Sequence, residues 1–336
     1  MLDWNLLHLA SAPLSVVPTL EISAVSPSSP AYQEARQLQV DRYTRACMPA
    51  EDTYQKYEDI VDAAPQCTIP LVVRRRDTSL PGGLAGTARL ELPSATTIEA
   101  IVRFEECSQA ASILAQRTFA EIGVFATQPD LPWWEVLDVI DTVSSAIVQL
   151  AEECRIEWLW IFPRLTMMSL LLAEIPDLLP PYRFTLCRDV AGWNESSATL
   201  QKIRDLRMKE LPVSPDTLPL VIQITPAQWA QDLKARLALQ EQRRQHPDLP
   251  RLLRMAMRQA HRRISDQVTE LYTQKGQEER TMLKPGKRQT EPPAPVAPSA
   301  PTPEKTPTPP PQEQPGFLPF ASSTRGEADY LRQVVE

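Results

Sequence analysis

Leu71-Val72-Val73-Arg74-Arg75-Arg76, a turn at Leu80-Pro81-Gly82-Gly83, and Leu84-Ala85-Gly86-Thr87-Ala88-Arg89-Leu90-Glu91-Leu92 open the stretch, Leu71 to Leu172, that decides the fold. Two β-like runs joined by Pro and Gly read as a hairpin. Further on, Ala120-Glu121-Ile122-Gly123-Val124-Phe125-Ala126-Thr127 reads as a strand, Trp134 to Cys154 as a long apolar helix and Glu157-Trp158-Leu159-Trp160-Ile161-Phe162 as another strand. Strand, helix and strand in that order make a crossover unit. Such a unit requires an α/β arrangement with neighbouring parallel strands.

Upstream, Thr19 to Val25 alternates like a half-exposed strand, and Ala31 to Ala46 is helical with Pro30 placed for its first turn. Tyr54 to Asp62 gathers Glu58, Asp59 and Asp62 beside two tyrosines. This cluster reads either as a solvated connection or as carboxylates that hold a cationic acceptor at the edge of a cleft. In the helix from Trp134, Leu137, Ile140 with Asp141, Ser144, Ile147 and Ala151 form one stripe, a face broad enough to bury against a sheet. Downstream, Leu165 to Ile175 is a second apolar helix, Tyr182 to Cys187 a strand and Leu218 to Thr225 a strand or connector. Thr225 and Pro226 then start a helix, interrupted at His246-Pro247, that reaches about Gln274.

Composition narrows the function. Only 9 of the 336 residues are glycine, which leaves few places for a phosphate-cradling loop. Five cysteines without C-x-x-C spacing and three histidines argue against a disulfide framework or a structural zinc, so no metal is expected and the pattern fits a reducing cytoplasm. The most apolar stretch, near Trp158 to Leu172, is broken by Pro163 and Arg164 and falls short of the ~20 residues of a membrane span. A soluble, cytoplasmic protein is expected.

The net charge of −7 hides a basic region after Gln231, with Lys234, Arg236, Arg243, Arg244, Arg251, Arg254, Arg258, Arg262 and Arg263. No helix-turn-helix spacing, stacking ladder or zinc motif accompanies them, so nucleic acid is an unlikely partner; a solvated face or a surface for an acidic partner fits better. Leu283 to Pro319 is dominated by Pro, Thr, Glu and Gln and cannot bury a core, so a disordered tail is expected that could bind a protein partner.

Glu121 carries the sharpest choice. Buried among Ile122, Val124 and Phe125 it could act as a general base; on the surface it would do nothing in particular.

The succession Tyr57-Glu58-Asp59-Ile60-Val61-Asp62, Ala85-Gly86-Thr87-Ala88-Arg89-Leu90 and Glu121-Ile122-Gly123-Val124-Phe125-Ala126 resembles acyl-homoserine-lactone (autoinducer) synthases and long-chain N-acyl amino acid synthases. The resemblance implies a GCN5-related N-acetyltransferase (GNAT) fold: a helix-flanked, mixed, mostly antiparallel sheet whose central strands splay apart to admit a thioester. It implies an N-acyltransferase that moves an acyl group from acyl carrier protein or acyl-CoA to a small amine or amino acid. Asp59, Asp62 and Arg89 would shape the acceptor site with Phe125, and Glu121 would help deprotonate the amine. The expected division is an N-terminal extension at 1–30, the GNAT-like domain at 31–195, basic helices at 196–280 and the Pro-rich tail at 281–336. Val124 stands where the family has arginine, and Gln128-Pro129-Asp130-Leu131-Pro132 occupies the place of the pyrophosphate loop, which favours a carrier-protein donor over CoA. The competing expectation is a non-catalytic GNAT-like scaffold or binding module.

Overall fold

The computed structural model describes residues 19–45, 64–76, 83–96, 104–161, 165–190 and 221–282, together with 17, 98, 99 and 102. Asp59 and Asp62 lie outside the described residues, as does the Pro-rich tail from 283 onward.

Among the described residues, seven strands form one sheet in the order β1-β2-β3-β4-β5-β7-β6. They are β1 (Leu20–Ala24), β2 (Thr68–Arg75), β3 (Leu84–Glu91), β4 (Phe119–Thr127), β5 (Trp158–Ile161), β6 (Thr185–Leu186) and β7 (Ile222–Ile224). Every neighbouring pair is antiparallel except β4 and β5, which are parallel as the crossover helix between them requires. The expected α/β class, a mixed and mostly antiparallel sheet flanked by helices, is what the structure shows. This sheet draws strands from both sides of the boundaries at 30 and 195, since β1 pairs with β2 and β7 lies between β5 and β6.

The helices are α1 (Pro30–Arg45), α2 (Gln109–Gln116), α3 (Trp133–Glu153), α4 (Leu165–Leu171), α5 (Pro226–Ala238), α6 (Gln240–Gln245) and α7 (Leu249–Met282). Local chemistry sets their ends. Ser108 accepts from the Ala111 amide to begin α2, and Arg117 ends it in the left-handed region. Thr225 accepts from the Gln228 amide with Pro226 in the first turn of α5. The interruption at His246-Pro247 separates α6 from α7.

Alternation along β3 assigns the two faces of the sheet. The position of a Cβ at Gly86 lies 2.6 Å from the Val139 side chain of α3, whereas Thr87 receives a hydrogen bond from Gln39 of α1. Neighbouring strand residues point to opposite faces, so α3 covers one face and α1 the other.

Helix α3 is buried nearly all round, with the sheet on one side and α5 on the other. Its outer side carries Asp138 and Asp141, which are 1% and 0% exposed. Arg236 Nε and Arg243 Nη2 donate to the two oxygens of Asp141 at 2.7 and 2.6 Å, and Tyr182 Oη donates to it at 2.9 Å. Gln240 and Arg244 donate to Asp138 at 2.7 and 2.9 Å. This corrects the solvated-face reading for part of the basic region, because Arg236 and Arg243 are 0% and 1% exposed and bind α5 and α6 to α3. Burial pushes the Asp138 carboxyl up from 3.8, opposed by the hydrogen bonds from Gln240 and Arg244.

Removing one partner of a buried ion pair leaves the other charge uncompensated, at a cost of about 3–5 kcal/mol. Asp141→Ala should lose stability of that order in urea denaturation; a loss below about 1 kcal/mol would show that the two guanidiniums find other partners. Asp138 binds its proton more tightly folded than unfolded, so its contribution is largest below pH 3.8 and declines as pH rises through the raised folded value. The stability difference between wild type and Asp138→Asn, measured by denaturation across acid pH, should therefore fall with rising pH and then level off.

Candidate functional site

The period-2 alternation of β3 places Thr87, Arg89 and Glu91 on the α1 face. Antiparallel pairing sets Glu121 of β4 opposite Glu91, and Gly123 opposite Arg89. Parallel pairing then sets Trp160 of β5 beside Glu121. Three strands thus bring two carboxylates, one guanidinium and an indole to one face. All are buried, with exposures of 0% for Arg89 and Trp160, 1% for Glu91 and 3% for Glu121.

Each group is held. Arg89 Nε lies 3.0 Å from Glu91 Oε1, and Arg89 Nη1 donates to Tyr32 Oη of α1 at 3.3 Å. Glu121 Oε2 accepts the Ile98 amide at 2.8 Å, so the segment between β3 and α2 closes over it. Thr87 Oγ1 donates to the Leu71 carbonyl at 2.9 Å and receives Gln39 Nε2. Phe104 and Phe119 pack on Trp160 with ring centroids 5.1 and 5.0 Å away. Of the two surroundings open to Glu121 in the sequence, the buried one is found.

Immediately beyond these groups the ladder changes. Thr87 pairs with Ala126 but Arg89 with Gly123, so β4 carries one extra residue, a β-bulge at Val124 and Phe125. Val124 has φ +44°, a left-handed conformation that is an outlier for a β-branched side chain. On the other side, β4 and β5 pair only from Phe119↔Trp158 to Ile122↔Ile161, while β4 continues to Thr127. No described strand pairs with that side of β4 beyond Ile122.

The turn from β4 to α3 offers a diphosphate little. Pro132 precedes α3 without a side-chain cap, and Glu135 in its first turn is buried and receives Arg75 Nη2 at 2.7 Å. A carboxylate already occupies the positive end of that helix.

The structure therefore joins Glu121 and Arg89 and adds Glu91, which the sequence reading passed over. Its signal was there: Arg89 and Glu91 are opposite charges two apart in a strand whose neighbours are apolar on the other face. Phe125 sits in the bulge, half-buried and packed against the core. Among the described residues, no group of three His, Cys, Asp or Glu side chains could hold a metal ion, and no helix is long and apolar enough to cross a membrane.

No family model and no curated protein matches the chain. Solved structures similar to it include GNAT-type N-acyltransferases. An N-acyl amino acid synthase from uncultured soil microbes is 13% identical over 65% of this chain and 96% of its own, with TM-score 0.36. A protein assigned as an acyl-CoA N-acyltransferase of Klebsiella pneumoniae is 13% identical over 61% and 97%, with TM-score 0.28. The apo form of FdhC, a nucleotide-linked sugar GNAT, is 10% identical over 65% and 94%, with TM-score 0.28.

Gly123 is constrained by the site itself, since a Cβ there would lie 2.2 Å from Glu91 Oε1. Gly123→Ala must displace that carboxylate from Arg89 and should cost about 1–3 kcal/mol in chemical denaturation. Glu91→Ala in the same background should relieve the clash, so non-additivity of the two changes is the measurement that checks the contact.

Proposed function

We propose that this chain is an N-acyltransferase that moves an acyl group from a thioester to a small amine or amino acid. The observation that carries the reading is the placement of Glu121, with Glu91 and Arg89 beside it, where β4 bulges and its pairing with β5 ends. An amine reaches a neutral pH as ammonium and must lose a proton before it attacks. Glu121 takes that proton, the nitrogen lone pair adds to the thioester carbonyl, and an amide of β4 beyond Ile122 stabilises the oxyanion. Collapse breaks the C–S bond and forms the amide; the second proton of the nitrogen passes to the departing sulfur, and Glu121 releases the first to solvent. Arg89, paired with Glu91, balances charge next to the base. Asp59 and Asp62 would hold the acceptor's ammonium, and Phe125 would contact the acyl chain.

The donor is an acyl thioester on a carrier protein rather than on CoA. Pro132 at the N-cap and the buried Glu135 carboxylate, paired with Arg75, place negative charge at the α3 N-terminus, where a pyrophosphate would otherwise sit. A phosphopantetheine arm attached to a protein does not need that site.

A second reading, a non-catalytic module on the same scaffold, is favoured by one observation: Arg89, Glu91 and Glu121 are nearly fully buried and engaged with one another or with the backbone. Glu121→Gln separates the two. The amide oxygen still accepts the Ile98 N–H, so folding should persist while general-base capacity is lost. Mass spectrometry of lipid extracts from expressing cells should show an acylated amine that falls about 10²–10⁴-fold in the variant. Extracts unchanged between wild type and variant would select the module.

A further inference from the structure

Helix α7 has two unlike sides. Leu249, Leu253, Ala256, Ala260, Ile264, Val268 and Leu271 are buried. The helix is fixed on the body of the protein along that side, with Arg263 Nη2 donating to the Leu172 carbonyl at 3.2 Å and His261 Nδ1 lying 3.5 Å from Ser169 Oγ. Turned away from it are Arg251, Met255, Arg258 and Arg262, which at 100° per residue fall within about 60° of one another and cover about 16 Å of helix. All four are exposed. Met255, at 48%, is the one large apolar side chain exposed among the described residues.

The three arginines differ from those of α5 and α6. Arg236, Arg243 and Arg244 are consumed by Asp138 and Asp141. Arg251, Arg258 and Arg262 have no ion pair among the described residues, and the acidic residues nearest in sequence, Asp248 and Asp266, flank the row rather than interrupt it. Arg258 and Arg262, one turn apart, repel one another and would weaken an isolated helix, with Arg251 two turns earlier adding to the charge; here the buried side holds them in place. A rigid row of guanidiniums with an apolar side chain between them is preorganised for a complementary row.

We propose that this stripe is a docking surface for an acidic amphipathic helix of a partner protein, whose carboxylates repeat every three or four residues around an apolar residue seated on Met255. The spacing favours a protein helix over nucleic acid. Three phosphate contacts give only weak affinity, no aromatic side chain lies in the stripe for a base to stack on, and the chain's overall charge of −7 repels an extended polyanion. The surface is independent of the acyl-transfer reading, and its test does not depend on turnover.

The test uses the full chain and a labelled helical peptide of about 20 residues, long enough to hold helix, with glutamates at i, i+7 and i+11 and leucine at i+4. Fluorescence anisotropy at low salt should show saturable binding. Arg251→Glu with Arg258→Glu and Arg262→Glu should weaken it at least about ten-fold with an unchanged melting curve, since all three side chains are exposed. Met255→Ser should weaken it about five-fold. A peptide of the same composition with its glutamates spread around the helix should bind at least about five-fold more weakly. Equal binding of the spread peptide, unaltered binding by the triple variant, no binding at low salt, or displacement of the peptide by an equimolar DNA duplex would each overturn the proposal.

Discussion

Strand β4 has to satisfy two neighbours with different demands. Toward β3 it is one arm of an antiparallel ladder that reaches Thr127; toward β5 it is one arm of a parallel ladder that stops at Ile122. Beyond Ile122 only the β3 ladder continues among the described residues, and there β4 takes in one extra residue. The bulge holds Val124, a β-branched residue, in the left-handed region, a conformation disfavoured by roughly 1–2 kcal/mol. Strain of this kind persists only where surrounding structure over-determines it. Here the fixed points are Gly123, pressed beneath Glu91, and Ala126, paired with Thr87.

Charge is buried in two places, and the two are built differently. Against the outer side of α3, two aspartates meet three arginines, a tyrosine and a glutamine, a set with enough donors to satisfy every carboxylate oxygen. That is how a structural network looks: it ties helices far apart in sequence to one another and gains its stability through geometry. Across the sheet, Glu91, Glu121 and Arg89 share a face and are held by one ion pair, the Tyr32 hydroxyl and the Ile98 amide, and they tie strands and a loop rather than helices together.

Much of the fold could be read from the chain. Hairpin, crossover helix and Thr225 cap are local patterns, and each formed within three residues of its expected bounds. The site was half legible. Glu121 stood out as a charge inside an apolar strand and Arg89 through the family resemblance, but their meeting depends on register, and a single bulged residue in β4 decides which side chain faces which. Glu91 escaped for that reason. The arginines of α5 and α6 were misjudged for another: a helix that packs on a buried helix rather than on water shows the same amphipathic spacing, and only the contact with Asp138 and Asp141 tells them apart.

The crowding of Glu91 onto Gly123 has an evolutionary corollary. Position 123 has no room for a side chain while 91 carries a long one, and a shorter residue at 91 would leave a void above a glycine. Neither site can drift alone. Among descendants of any ancestor that built this sheet, the glycine and the glutamate should be lost or kept together, a paired inheritance that would mark two residues more than thirty positions apart as one unit.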